Sequence, residues 1–92
     1  MDKQEMKEYI AAGNGTVLFA DGFDEALIGF VNVAGPNGSY ETALYDRDIC
    51  ISILVERDGM TDEEAAEYFE YNVANAYVGR GTPAYASILT GF

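Results

Sequence analysis

Five carboxylates and two phenols crowd one short stretch of the chain: Asp62, Glu63, Glu64, Glu67 and Glu70, with Tyr68 and Tyr71. At helical spacing Glu63, Glu67 and Glu70 fall on one side, Glu64 and Tyr71 flank them, and Asp62 adds charge to the first turn. Such a ridge can imitate spaced phosphates and occupy Lys or Arg sites through charge-assisted hydrogen bonds. The tyrosine rings would supply apolar anchoring beside it. The same pattern also describes a solvated face with acids favourably placed at a helix amino end. No Lys or Arg lies between Arg57 and Arg80, so the face lacks the i,i+4 partners that surface helices ordinarily use.

Other chemistries find less support. Histidine is absent, which removes the usual neutral-pH base, the commonest transition-metal ligand and any Ser–His or Cys–His pair. The acids Asp21, Asp24 and Glu25 lack the spacing of a calcium loop, and three carboxylates fall short of the 6–8 oxygens calcium takes; Asp21-Gly22 reads as turn chemistry instead. Paired carboxylates could do acid–base work only in a cleft of about 300 Å³ or more, rare in so small a domain. Cys50 sits in an apolar run and reads as a buried structural thiol. The expectation is a non-enzyme with no cofactor and no metal.

Charge sets the partner class. Sixteen Asp and Glu oppose five Lys and Arg, a formal net charge of −11 on 92 residues. That balance repels nucleic acid and anionic lipid and attracts basic protein surfaces, although it also serves solubility. The charged, helix-like start MDKQEMKEYI does not read as a signal peptide. No apolar run reaches the roughly 20 residues a bilayer requires. A lone cysteine forms no internal disulfide, which points to a reducing, cytoplasmic setting.

The elements that must position these residues read as one domain over 1–92. Asp2 with Glu5 opens a helix that places Met6, Tyr9 and Ile10 on one face and stops at Gly13. Residues 16–20 and 25–33 have strand character and are split by the Asp21-Gly22 turn; Gly35-Pro36-Asn37-Gly38 precedes a third such segment, 40–45. These suggest an antiparallel meander carrying Tyr40 and Tyr45. The β-branched run Ile49–Val55 suits strand or helix; Asp46 as N-cap and the absence of a turn signal before Gly59 favour helix, buried on most sides, with Asp46-Arg47-Asp48 as cap and local ion pair. Thr61 and Glu64 have capping-box spacing, with Met60 and Ala65 as staple. The helix from Asp62 to about Tyr77 shows a stripe of Ala65, Phe69, Val73 and Ala76, widened by Ala66 and Tyr77, with Asn72 at its edge as a buried amide holding the Gly79–Pro83 turn. Residues 84–90, including Tyr85, return as a short edge strand. The fold class expected is α+β: a small antiparallel sheet of three to four strands with three helices packed on it.

The run from Tyr45 to Tyr85 resembles a set of small proteins of tailed bacteriophages and prophages. The residues that carry the resemblance are Tyr45-Asp46, Asp58-Gly59-Met60-Thr61, Glu63-Glu64-Ala65, Tyr68-Phe69-Glu70-Tyr71-Asn72 and Gly79-Arg80-Gly81-Thr82-Pro83. That family carries no catalytic motif, so the resemblance implies an origin rather than an activity. In size and charge such proteins are similar to inhibitors of host defence, including anti-CRISPR proteins that block basic nucleic-acid channels. The implied function is a phage-encoded inhibitor of a basic host protein or ribonucleoprotein complex, a CRISPR effector in the first place. Its binding residues would be Asp62, Glu63, Glu64, Glu67, Glu70, Tyr68 and Tyr71. The alternative is a non-enzymatic phage module that self-associates as a homo-oligomer through tyrosine-rich strands.

Overall fold

Asp2 starts the first helix as its spacing requires. Its carboxylate accepts the Glu5 N–H at 2.8 Å and the Glu5 carboxylate accepts the Asp2 N–H at 3.3 Å, so two free donors are satisfied reciprocally. In this computed structural model, which describes residues 1–13 and 15–89, α1 spans Lys3–Gly13. Ile10 enters the core and Met6 packs against it, while Tyr9 stays exposed with its ring 6.5 Å from that of Phe30.

The segment after α1 is not a strand. Residues 17–20 are irregular, although Val17 and, after the turn, Phe23 are buried. Their backbone explains the difference: the Leu18 N–H donates to the Gly81 carbonyl at 3.1 Å and the Ala20 N–H to the Tyr45 hydroxyl at 2.8 Å. These donors serve a loop and a side chain, so no ladder forms and the apolar alternation is spent on packing alone. Gly81 is needed here, since at φ +91° a Cβ would also collide with the Thr16 carbonyl. Asp21-Gly22 does turn, with Gly22 at φ +86°, but it leads into a 3-10 turn, Asp24–Ala26, rather than a hairpin.

The hairpin falls one turn later, between β1 (Leu27–Gly35) and β2 (Gly38–Asp46), antiparallel around Pro36-Asn37. The third strand, β3 (Ala84–Ala86), pairs with β2 in parallel, giving the order β1-β2-β3. The sheet is therefore mixed, not antiparallel. Two helices intervene between β2 and β3 and return the chain to the end where β2 began, so β3 runs in the same direction as β2. The strand stops at Ala86; residues 87–89 are not extended into it, and Thr90 lies outside the described residues.

The β-branched run after β2 is helical. In α2 (Arg47–Asp58) the Asp46 carboxylate accepts the N–H groups of Asp48 at 2.9 Å and Ile49 at 3.2 Å, and Gly59 at φ +70° closes the far end. Caps at both ends outweigh the strand propensity of the residues between. Only Cys50 and Leu54 are fully buried, and Ile49 is exposed, so α2 lies at the surface of the core rather than inside it.

The next helix, α3 (Asp62–Phe69), has the capping box its sequence announces, with the Glu64 N–H on Thr61 Oγ1 at 3.1 Å and the Thr61 N–H on Glu64 Oε1 at 3.0 Å. It does not reach Tyr77. One wide π turn, Glu70–Ala74, ends it. That turn shifts the register, so Val73 and Ala74 pack against the core while Ala76 and Tyr77 are exposed. The core centres on Leu27, Ala43, Tyr45, Cys50, Leu54, Ala65 and Phe69. Tyr85 joins it, 5.7 Å from the Tyr45 ring and edge-on to Phe69 at 5.1 Å. Among the described residues no helix is long and apolar enough to cross a membrane. The fold is α+β, three helices on a three-stranded mixed sheet.

Candidate protein-binding surface

The capping box fixes where α3 begins, and Ala65 and Phe69 fix which side of it faces inward. Residues 64, 67, 68 and 71 then share the next face round, at i, i+3, i+4 and i+7. With Met60 and Asn72 they line an open groove of about 380 Å³. Four of the seven residues expected to bind a partner, Glu64, Glu67, Tyr68 and Tyr71, are thus brought together. Asp62 and Glu63 are exposed but lie outside the groove.

Glu70 is the exception. Its Oε1 takes two hydrogen bonds from Arg47 on α2, from Nη2 at 2.8 Å and Nε at 3.1 Å. The same guanidinium lies 5.7 Å above the Phe69 ring and 3.7 Å from Asp48. Glu70 therefore ties α3 to α2 and is not a free carboxylate. Sequence reasoning sought partners along one helix and missed a cation on the neighbouring one; the acid pair flanking Arg47 was the available signal.

The other four cations have partners as well, two of them carboxylates. Lys3 donates to the Leu27 carbonyl at 2.6 Å, and Lys7 bridges to Asp24 at 3.1 Å. Arg57 pairs with Asp58 at 3.0 Å and donates to the Gly22 carbonyl at 2.7 Å, and Arg80 lies 5.0 Å over the Tyr40 ring. Among the described residues, Asp62, Glu63 and Glu67 have no ion pair or hydrogen bond to a side chain. Glu64 is held ionised: the Thr61 backbone N–H, and secondarily its hydroxyl, lower its carboxyl below the ordinary range. Tyr71 is 79% exposed and Tyr68 43%, so one ring stands open and the other is about half covered.

Asn72 is exposed rather than buried, and its Nδ2 donates to the Tyr68 carbonyl at 3.3 Å. Asn75 donates likewise to the Glu70 carbonyl at 2.6 Å, so two amides serve carbonyls at the carboxyl end of the helix. The Gly79–Pro83 turn is instead held by threonines. Thr82 Oγ1 donates to the Gly79 carbonyl at 2.6 Å and accepts the Val78 N–H at 3.0 Å, and Thr42 Oγ1, buried, donates to the Thr82 carbonyl at 2.5 Å.

The remaining candidates carry structure. Asp24, Glu25 and Glu56 border an open depression of about 470 Å³, but Arg57 lies in it and Lys7 occupies Asp24. Among the described residues no group of His, Cys, Asp and Glu is placed to hold a metal ion. The Cys50 thiol is buried and pushed up to about 12, chiefly by burial and then by Asp46, which leaves it protonated and unreactive at neutral pH.

No protein-family model matches the chain, and comparison with curated proteins and with solved structures finds no match to either.

Proposed function

We infer that this chain is a non-catalytic binding protein whose α3 groove docks on a basic surface of another protein. Glu67 and Glu64 would meet Lys or Arg side chains, Asp62 and Glu63 would extend the negative field along the helix start, and Tyr68 and Tyr71 would anchor the contact. The observation that carries this reading is that all five cations have partners within the fold, while Asp62, Glu63 and Glu67 of α3 stand unpaired beside two exposed rings. A basic surface shaped for phosphates fits that arrangement, since carboxylates spaced along a helix present the same charge to it. The phage-like motifs, the size and the charge supply the setting: a phage-encoded inhibitor acting in the host cytoplasm on a nucleic-acid-handling defence complex, anti-CRISPR-like in type.

The test is an affinity pull-down of the tagged protein from bacterial lysates that express candidate CRISPR effector complexes, at low and high salt. A basic complex recovered at low salt and lost at high salt supports the reading, because interfacial charges lose their reach as the screening length falls from about 10 Å at 0.1 M to about 3 Å at 1 M. Glu63→Lys with Glu67→Lys should reduce binding by about tenfold or more, since reversed charges now face like charges. Glu70 is left unaltered in that variant to keep the tie to Arg47. Undiminished capture by the folded double variant would sink the mechanism.

A further inference from the structure

The sheet has two rim strands, β3 of three residues and β1 of nine, and the longer one offers the longer bare side. β1 is bonded to β2 along one side only, and the order β1-β2-β3 leaves its other side at the rim. Alternate residues of such a strand turn an N–H and a C=O outward, a row of groups that only another extended backbone satisfies throughout. Proteins guard such rims with bulges, charges or prolines, and here the guards cover only the first residues. The register slips between Leu27 and Gly29, and the Lys3 ammonium donates to the Leu27 carbonyl at 2.6 Å. From Gly29 to Gly35 the pairing with β2 runs without a break. Among the described residues no hydrogen bond reaches the outer side of Phe30–Gly35.

The composition of this rim is as unusual as its exposure. Residues 26–40 contain no Asp, Glu, Lys or Arg, the longest such interval in a chain of net charge −11. Beside it lie the exposed side chains of Ile28, Phe30 and Tyr9. The acidic helix is remote from this rim, because α3 leans through Phe69 on Tyr85 of β3, at the opposite side of the sheet.

We propose that β1 pairs antiparallel with β1 of a second copy about a twofold axis, joining two three-stranded sheets into one of six strands. A second copy is the occupant that the uncharged rim of a strongly acidic chain favours. A twofold centred near Val31 or Asn32 sets an uncharged strand against itself, so no like charge on the strand itself opposes the pairing. It also keeps the two acidic helices on the outer sides of the assembly, where their mutual repulsion is least. Of the tyrosines on strands, Tyr45 is fully buried, Tyr85 packs against the core and Tyr40 is half-buried beneath Arg80, so none of them lies on this rim. The dimer leaves both α3 grooves open and does not depend on what they bind.

Sedimentation velocity from low micromolar to near-millimolar protein tests it. The expected result is a monomer–dimer equilibrium that tightens as salt rises from about 0.1 M to about 1 M, because screening relieves repulsion between two acidic bodies. That sign is opposite to the one expected for a complex made by the α3 groove, so the two readings fail separately. Asn32→Lys with Ala34→Lys, both at exposed positions, should weaken the dimer by about tenfold or more by setting like charges across the shared rim. Should that variant prove poorly folded by circular dichroism, hydrogen exchange on the unaltered chain gives the same answer: amides within Phe30–Ala34 should gain protection as protein concentration rises. A chain that stays monomeric at the highest concentration overturns the proposal. So does a dimer that persists in the folded variant, or one that forms without protecting these amides.

Discussion

At the turn before β1 and along α3 the chain places acids at similar density, and the fold treats them differently. At the first, Asp24 is answered by Lys7 at 3.1 Å, Asp21 and Glu25 form no ion pair among the described residues, and Arg57 reaches across to the Gly22 carbonyl at 2.7 Å. The rings there are used as well, since Lys7 sits 5.4 Å over Phe19 and Arg57 5.5 Å over Phe23. On α3 one acid, Glu70, is answered by Arg47, and the residues further round the helix are not. Among the described residues no cation stacks over the ring of Tyr68 or Tyr71. The difference teaches that net charge alone does not mark a binding surface. What marks it is charge left unpaired beside apolar area left exposed, in a chain whose cations all have other partners.

The groove exists only while α3 is pressed on the sheet, and the largest effect comes from removing what presses it. Phe69 is fully buried, edge-on to Tyr85 and beneath Arg47. Phe69→Ala should cost about 3–5 kcal/mol, a large share of the stability of a domain this small. Chemical denaturation measures it, and a loss below about 1 kcal/mol would mean that α3 is held by something other than this ring.

A smaller break acts on the start of the same helix. Thr61→Ala removes the hydroxyl that accepts the Glu64 N–H at 3.1 Å and should lower stability by about 1 kcal/mol, or roughly 4–8 °C in Tm for a chain of this size. The other half of the box, the Thr61 N–H on the Glu64 carboxylate, survives that change and should hold stability that depends on pH with a definite sign. Glu64 has a lowered folded-state pKa, so its contribution is present above the ordinary glutamate value of about 4.3 and is lost as pH falls through the folded value. The wild-type chain should therefore lose more stability than Glu64→Gln, which has no carboxylate to titrate, does between neutral pH and about pH 3. Parallel pH profiles for the two proteins would show that the capping box holds no charge-dependent stability.

How much of this was legible in the residues follows from the range of the interactions involved. The caps of α2 and α3 are local, three residues wide, and Asp46, Thr61 and Glu64 announce them outright. The partners that decide the rest are distant. Residues 17–20 look like a strand until the Tyr45 hydroxyl, 25 residues away, takes the Ala20 N–H. The parallel β3 depends on where two helices return the chain, which no periodicity states. The π turn moves the inward side from Ala76 to Ala74, a shift that a regular wheel does not contain. On the candidate site the same rule holds: the face of Glu64, Glu67, Tyr68 and Tyr71 is set by helical spacing and was readable, whereas the capture of Glu70 is a contact between helices and was not.

That contact gives the smallest and most discriminating change. Arg47→Met keeps most of the apolar stem over Phe69 and removes the guanidinium, freeing Glu70 and Asp48 together. Both partners are partly exposed, so solvent already screens the pair, and the loss of stability should be about 0.5–1 kcal/mol, with the lost ring contact included. Its effect on binding should have the opposite sign. α3 would then carry one more uncompensated carboxylate, and the affinity for a basic complex should rise by a few fold at low salt, with no change at high salt. Lys7→Met is the matching change at the other acidic surface: it frees Asp24 in the same way, at a site without exposed tyrosines. If both substitutions raise affinity equally, the partner responds to total charge and the distinction between the two surfaces fails. If only Arg47→Met does so, the partner sits on α3, and the rings of Tyr68 and Tyr71 are what separate a binding surface from a merely acidic one.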